Sequence, residues 1–191
     1  MKKYKTIIVV AILIAMCVLY YYYISANNKT KDSASSSKLS EVQKVINKDL
    51  DDSYPATPRE VVNYYSRLLA CFYGEKYNED ELTSMALQSR KIFDDELLNQ
   101  NDYDEYIENL KSDISQYKEE GKKISTYIIE KSGDIEYKTF KSHYYAMVDC
   151  VYYVKGEGET SRTMETYTLR KDSTGRWKIL YWSLTEVEED E

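Results

Sequence analysis

The fold is decided by residues 143–155, which read HYYAMVDCVYYVK. Every even position from Tyr144 to Val154 carries an apolar or aromatic side chain. Because successive side chains of a strand point to opposite faces, this alternation predicts a long strand with one buried face. Glycine-containing turns separate it from further alternating segments, a pattern typical of an antiparallel meander. The other predicted strands cover residues 124–130, a short piece ending at 140, 161–171 and 176–185.

The segment before the strands has the period of a helix. Thr57-Pro58-Arg59-Glu60 predicts a helix start, because the side chains of Thr57 and Glu60 can each accept a hydrogen bond from the other residue's backbone N–H. Pro58 suits the first helical position, where its missing N–H costs nothing. Apolar residues then recur every three or four positions, and we expect this helix to end near Gly74.

Two further helices are predicted before residue 124. Asn78 and Glu81 form a second capping box, and the apolar stripe that follows is expected to continue through Phe93 to Leu97. The third helix is predicted over residues 102–121. The helices are therefore expected to form a group of three that precedes the sheet.

The stretch from Ile7 to Ile24 is apolar and contains no charged residue. At about 1.5 Å per residue, a helix over this stretch would match the roughly 30 Å of a bilayer's hydrocarbon core. Lys2, Lys3 and Lys5 precede it, and the positive-inside rule places them in the cytoplasm. We therefore expect a single-pass protein of the cell membrane whose C-terminal domain is extracellular.

A cleaved signal peptide is the alternative interpretation of this stretch, with Ala26 as the residue before the cut. The apolar stretch is longer than the usual core of about 7–15 residues, and the four tyrosines from Tyr20 to Tyr23 make a poor approach to a cleavage site. We therefore expect the anchor to be retained.

The predicted organisation has five parts. After the anchor, small polar residues without periodicity predict a flexible tether, and a weaker apolar pattern near its end fits a short helix. The acidic end of the chain is expected to be solvated. The parts are a cytoplasmic stub at 1–5, a transmembrane helix at 6–25, the tether at 26–56 with its short helix at 40–50, an extracytoplasmic domain at 57–186 and an acidic tail at 187–191.

The chain is acidic, with a formal net charge of −7. Removing the three lysines before the anchor leaves −10 for the part that follows it. Nucleic acids and anionic lipid surfaces bind clustered lysine and arginine, so this charge argues against both as partners. A compositional bias of the genome is the simplest explanation for the 21 tyrosines.

Few residues point to chemistry. Cys71 and Cys150 form either a disulfide or two packed thiols, and the sequence leaves both open. His143 is the one histidine, so no zinc site of the usual histidine and cysteine spacing is expected. No phosphate-binding loop, nucleophile elbow or Ca²⁺ loop is present in the sequence. We therefore expect no metal and no other cofactor.

Asp149 interrupts the apolar residues on the odd face of the long strand, which are Tyr145, Met147, Val151 and Tyr153. A buried aspartate beside a tyrosine can transfer protons, because burial raises the pKa of the carboxyl group. Tyr145 and Asp149 are therefore the candidates for a ligand-binding or catalytic pair. The alternative is that Asp149 hydrogen-bonds a neighbouring tyrosine or arginine on a partly wet face, and we assign no catalytic residue.

Three helices followed by a meander resemble the NTF2-like α+β fold, in which helices pack on a curved antiparallel sheet to form a cone. We expect three helices on about four to five strands. The closing stretch at 169–179, LRKDSTGRWKI, is similar to the last hairpin of that superfamily. With the anchor and the cap at 57–60, it also resembles an uncharacterised family of single-pass membrane proteins from clostridial Gram-positive bacteria. This resemblance implies a fold and carries no activity.

The sequence therefore predicts a membrane-anchored extracytoplasmic module that acts in binding or assembly without catalysis, with an unidentified protein partner. Two alternatives remain. One is a small NTF2-like enzyme that uses Tyr145 and Asp149 in a pocket. The other is an accessory component of a secretion or conjugation apparatus.

The outer face of the predicted sheet is expected to be covered, because its strands carry apolar residues on both faces. We expect a homodimer through this face. The alternative is a monomer whose outer face is covered by residues 39–54. The interface candidates are Tyr145, Met147, Val151 and Tyr153, and the last strand contributes Trp177, Ile179 and Tyr181 on one face and Leu180, Trp182 and Leu184 on the other.

Overall fold

Five helices and five strands lie within residues 39–185, the part of the chain that the computed structural model describes. The helices are α1 (Glu41–Ile46), α2 (Pro58–Gly74), α3 (Glu79–Lys91), α4 (Asp95–Gln100) and α5 (Tyr103–Glu119). The strands are β1 (Lys123–Ile129), β2 (Glu136–Phe140), β3 (His143–Lys155), β4 (Thr160–Lys171) and β5 (Trp177–Thr185). The fold class is α+β, as the sequence predicts.

The strands form one antiparallel sheet in which β1, β3, β4 and β5 are successive neighbours and β2 also pairs with β3. The predicted meander is confirmed, because β3 pairs with β4 along its length and β4 pairs with β5. β1 and β2 lie on the same edge of β3. β1 pairs with the second half of β3 and β2 with the first half.

The junction between β1 and β2 lies opposite Asp149 and is closed by Glu130. The backbone N–H of Glu130 donates to the Asp149 carbonyl at 3.0 Å, and the backbone N–H of Asp149 donates to Oε1 of Glu130 at 2.8 Å. Arg59 of α2 donates from Nε to the Glu130 carbonyl at 2.9 Å. The start of α2 is thereby tied to the point where β3 changes its partner.

Both predicted capping boxes are confirmed. In the first, Oγ1 of Thr57 accepts from the Glu60 N–H at 3.2 Å, and Oε2 of Glu60 accepts from the Thr57 N–H at 3.3 Å. In the second, Oδ1 of Asn78 accepts from the Glu81 N–H at 2.9 Å, and Oε2 of Glu81 accepts from the Asn78 N–H at 3.0 Å. Each box satisfies backbone donors that the first turn of a helix leaves free.

The predicted second helix is wrong beyond residue 91. α3 ends at Lys91, and Phe93 forms a parallel bridge with Ile179 of β5. The Ile179 N–H donates to the Ile92 carbonyl at 2.9 Å, and the Asp94 N–H donates to the Ile179 carbonyl at 2.8 Å. Asp94 then forms the N-cap of α4. The helical pattern is interrupted because this backbone segment pairs with a strand that lies far along the chain.

α1 and the chain after it belong to the folded domain. The hydroxyl group of Tyr64 in α2 donates to the Val45 carbonyl at 2.8 Å. Nε2 of Gln88 in α3 donates to the carbonyls of residues 46 and 48 at 2.6 and 2.9 Å. The folded unit begins at Ser40, so the boundary predicted at residue 57 lies inside it. The buried apolar residues of this segment are Val42, Val45 and Leu50.

The even face of β3 packs against the helices, as the alternation predicts. Tyr144 is the exception, since it lies at the start of the strand and is exposed. The opposite face is half-buried along most of its length. The buried residues of the even face are Ala146, Val148, Cys150, Tyr152 and Val154.

The predicted division of β5 into two apolar faces is wrong, because the strand contains a bulge. The pairing of β5 with β4 skips Leu180. An extra residue reverses the facing of every residue that follows it. Trp182 and Leu184 therefore lie on the inner face together with Ile179, and Tyr181 lies on the outer face.

No helix within residues 39–185 is both long enough and apolar enough to cross a bilayer. The predicted cytoplasmic stub, the transmembrane helix, the first part of the tether and the acidic tail at 187–191 lie outside the described residues.

Candidate functional site

A cavity of about 530 Å³ lies between the helices and the inner face of the sheet. Its walls come from α2, α5, β1, β3, β4 and β5. This volume is typical of pockets that bind small organic molecules. The aromatic side chains that line it are Tyr65, Phe72, Tyr73, Tyr106, Tyr117, Tyr152 and Trp182.

The charged groups that line the cavity are mostly acidic. Asp113, Glu120 and Glu165 line it together with one cation, Lys122. Nζ of Lys122 lies 2.5 Å from Oε2 of Glu120, so the charge of this lysine is already paired. Asp113 and Glu165 have no cationic partner among residues 39–185.

Glu165 is the carboxylate that β4 brings to the inner face of the sheet. In the sheet it lies opposite Cys150 of the neighbouring strand β3 and opposite Leu184 of the neighbouring strand β5. Burial raises the pKa of Glu165, while a hydrogen bond from the Tyr167 hydroxyl to Oε2 acts in the opposite direction. Oε1 accepts no hydrogen bond from the described residues, so one carboxylate oxygen is available at the cavity.

A chain of hydrogen-bonded side chains connects Glu165 to the core. The hydroxyl oxygens of Tyr167 and Tyr152 lie 2.8 Å apart, and the Tyr152 oxygen lies 2.7 Å from Oγ of Ser66. Oγ of Ser66 lies 3.6 Å from Sγ of Cys150. Burial raises the pKa of both tyrosines. These buried groups satisfy one another, and the chain holds the Glu165 carboxylate in place.

Tyr73 of α2 and Tyr117 of α5 form an aromatic pair at the wall of the cavity. Their ring centroids are 4.4 Å apart, with an angle of 37° between the ring planes. Burial raises the pKa of both phenols, and the carboxylates of Asp113 and Glu165 raise it further. Both rings therefore lie in the electrostatic field of the same two carboxylates.

Residues 1–182 match the model of a domain of unknown function, DUF6715. The chain belongs to this family. No curated protein matches the chain. The family match covers the apolar N-terminal stretch as well as the folded domain, and it assigns no activity.

The structure places the predicted Tyr145 and Asp149 pair on the outer face of the sheet, away from the cavity. The two residues are four positions apart, and at about 3.3 Å per residue roughly 13 Å separates them along the strand. Oδ1 of Asp149 accepts a hydrogen bond from Oγ1 of Thr166 at 2.6 Å. Thr166 in turn lies 2.8 Å from Oγ1 of Thr185. Asp149 is thus held by a threonine rather than by a tyrosine or arginine.

The four interface candidates share the outer face of β3. Tyr145, Met147, Val151 and Tyr153 are each half-buried there. The alternative that residues 39–54 cover this face is wrong, because α1 packs against α2 and α3 on the other side of the sheet. Two large side chains on neighbouring strands of the outer face, Ile128 and Tyr181, are exposed.

His143 and the two cysteines do not line the cavity beside Glu165. His143 is exposed at the start of β3, and the ring of Tyr145 lies 6.5 Å from its ring. Cys71 and Cys150 are buried free thiols. Within residues 39–185, no group of three or more histidine, cysteine, aspartate or glutamate side chains could hold a metal ion.

Sequence reasoning missed Glu165, although the sequence contained a signal for it. Tyr167 and Leu169 define the inward positions of β4, and both are buried. Glu165 has the same parity, so the alternation places a carboxylate where an apolar residue is the norm. The aromatic wall could not be found in this way, because it depends on how α2 and α5 sit against the sheet.

Proposed function

We propose that this protein is a membrane-anchored binding module whose extracytoplasmic domain holds a small organic ligand in the cavity beside Glu165. The observation that carries this proposal is the cavity of about 530 Å³, with its aromatic walls and a carboxylate oxygen that accepts no hydrogen bond from residues 39–185. Ligand sites typically combine an apolar concave surface with a few polar groups that orient the ligand.

The domain is proposed to be NTF2-like. Its long helices precede the meander in the chain, and the buried face of β3 packs against them. Bulges occur in β1 near Ser125 and in β5 at Leu180. Bulges bend a strand and increase its twist, which favours a sheet that curves around the helices. A curved sheet of this kind accounts for a cavity at its inner face.

Display outside the cytoplasm is supported by the N-terminal sequence. The stretch from Ile7 to Ile24 has the length and apolar character of a membrane span, and the lysines before it favour a cytoplasmic N-terminus. On this proposal the cavity faces the extracellular medium and takes its ligand from there.

Binding rather than catalysis is proposed because Tyr167, the phenol that donates to Glu165, is fixed by its hydrogen bonds to Glu165 and to Tyr152. The Tyr145 and Asp149 pair lies on the opposite face, and His143 is at the start of β3. The hydroxyl groups of Tyr152 and Ser66 continue this chain to Cys150, so their hydrogen bonds are used within it.

The test uses the fragment 39–191, since the folded unit begins at Ser40 and has its own core. The neutral fluorophore N-phenyl-naphthylamine should bind and become brighter in the aromatic cavity. Thr163→Phe places a ring in the cavity, because Thr163 lines it, and should weaken this binding. Thr126→Phe is the matched control on the outer face of β1 and should leave binding unchanged. Equal binding by both variants would refute the proposed site.

A further inference from the structure

The cavity beside Glu165 has the charge of a site for cations. Asp113 and Glu165 line it without a cationic partner among the described residues, and Lys122 is already paired with Glu120. The side chains that line the cavity therefore carry a net negative charge. An anionic ligand would have to approach two carboxylates that form no salt bridge with any described residue.

The walls of the cavity have the chemistry that recognises an organic cation. The ring pair of Tyr73 and Tyr117 lies at one wall, and the ring centroids of Tyr65 and Trp182 are 5.6 Å apart at another. The faces of tyrosine and tryptophan rings attract cations, most strongly where water is excluded. A hydrated metal ion needs several oxygen ligands at short range, which aromatic walls do not provide.

We infer that the cavity binds a small organic cation, an ammonium group on an apolar body, with Glu165 as its counter-ion and the tyrosine rings around it. This inference rests on the proposed function, because it specifies the ligand class of the same cavity. Oε1 of Glu165 accepts no hydrogen bond from the described part of the chain and can face the cation, while Oε2 is held by Tyr167. The apolar body of the ligand packs against Leu69 and Trp182, which line the cavity and are partly exposed.

The experiment measures the displacement of N-phenyl-naphthylamine from the fragment 39–191 by two ligands that differ only in charge. Choline is the cation, and the control is its carbon isostere, in which a tert-butyl group replaces the trimethylammonium group. Choline is suitable because its charge does not change with pH. We expect choline to bind about tenfold more tightly than the isostere.

Three variants assign this preference to the cavity. Glu165→Gln removes the charge and keeps the shape, and should reduce the preference for choline to a few-fold while the isostere binds as before. Asp113→Asn, at an exposed residue of α5, should reduce the preference in part, and it serves if Glu165→Gln fails to fold. Glu136→Gln is the matched control on the outer face of β2 and should leave the preference unchanged.

The outcomes separate the two proposals. Equal binding of choline and its isostere, or an unchanged preference in both Glu165→Gln and Asp113→Asn, would overturn the cation site and leave the proposed binding cavity standing. Failure of the fluorophore to bind would overturn the proposed function itself.

Phosphatidylcholine vesicles distinguish the source of the cation. Sedimentation of the fragment with these vesicles that depends on Glu165 would assign the site to a lipid headgroup, and its absence would assign the site to a free cation.

Discussion

Replacing Leu50 by alanine should lower the free energy of unfolding by about 3 kcal/mol. Leu50 lies in the segment that the sequence assigns to a tether, yet only 1% of its surface is exposed. If the segment is part of the core, a truncation at Leu50 must be as costly as one in a helix or strand of the domain.

The size of this effect follows from the surroundings of Leu50. Removing the buried side-chain carbons costs about 0.8 kcal/mol for each methylene, and the remaining cavity adds to this cost. The backbone around residue 50 cannot easily move into the space that the truncated Leu50 side chain leaves. Oδ1 of Asp49 accepts from the backbone N–H groups of Asp51 and Asp52 at 2.8 and 3.1 Å, and Arg176 donates to the Asp51 carbonyl at 2.9 Å.

Urea unfolding of the fragment 39–191 measures the effect, with Leu39→Ala as the matched control. Leu39 belongs to the same segment, but 51% of its surface is exposed, so its truncation should cost less than about 0.5 kcal/mol. The midpoint for Leu50→Ala should fall while the denaturant slope stays constant. A loss below about 1 kcal/mol for Leu50→Ala would show that the segment does not pack into the core.

Four further predictions test other parts of the chain. Thr57→Ala removes one acceptor of the first capping box and should cost about 0.5–2 kcal/mol in urea unfolding, whereas Thr57→Ser should cost less. Because burial raises the pKa of Glu165 above its ordinary value of 4.5, the folded state holds the proton more tightly than the unfolded state does. Stability should therefore fall as the pH rises from 4.5 through the raised pKa, and unfolding curves across pH should show a weaker decline for Glu165→Gln. A homodimer through the outer sheet face predicts that sedimentation finds a dimer for the fragment 39–191 and a folded monomer for Val151→Asp; a monomeric wild type would contradict this prediction. Protease treatment of intact, wall-stripped cells should remove the folded domain and leave the stretch from Ile7 to Ile24 in the membrane, and survival of the domain would contradict the topology.

The sequence predicts the features of this fold that depend on neighbouring residues. The alternation in β3 identifies its buried face, and the side chains of Thr57 and Asn78 mark two helix starts. In each case the residues that carry the pattern lie within a few positions of the element that they predict. Period and capping chemistry are local, so no knowledge of the tertiary structure is needed to read them.

The features that were missed depend on contacts between distant parts of the chain. Phe93 leaves its helical pattern because Ile179 offers backbone partners, and Leu180 bulges where β5 pairs with β4. The bulge also places Trp182 on the same inner face as Ile179, whereas alternation alone assigns these two residues to opposite faces. The candidate site could not be predicted for the same reason, since Glu165 meets Tyr73 and Tyr117 only after the helices pack on the sheet.

The chain of hydroxyl groups between Glu165 and Cys150 has a direction, because each hydroxyl group has a single hydrogen to donate. Tyr167 donates to the Glu165 carboxylate, so Tyr152 must donate to Tyr167 and Ser66 must donate to Tyr152. All of these O–H dipoles then point towards the carboxylate and add to its stabilisation. When Glu165 is protonated, its carboxyl group no longer requires a hydrogen bond from Tyr167. The donor and acceptor roles along the chain of hydroxyl groups can then reverse. We therefore expect the infrared S–H stretching band of Cys150, whose Sγ lies 3.6 Å from Oγ of Ser66, to shift when Glu165 is protonated.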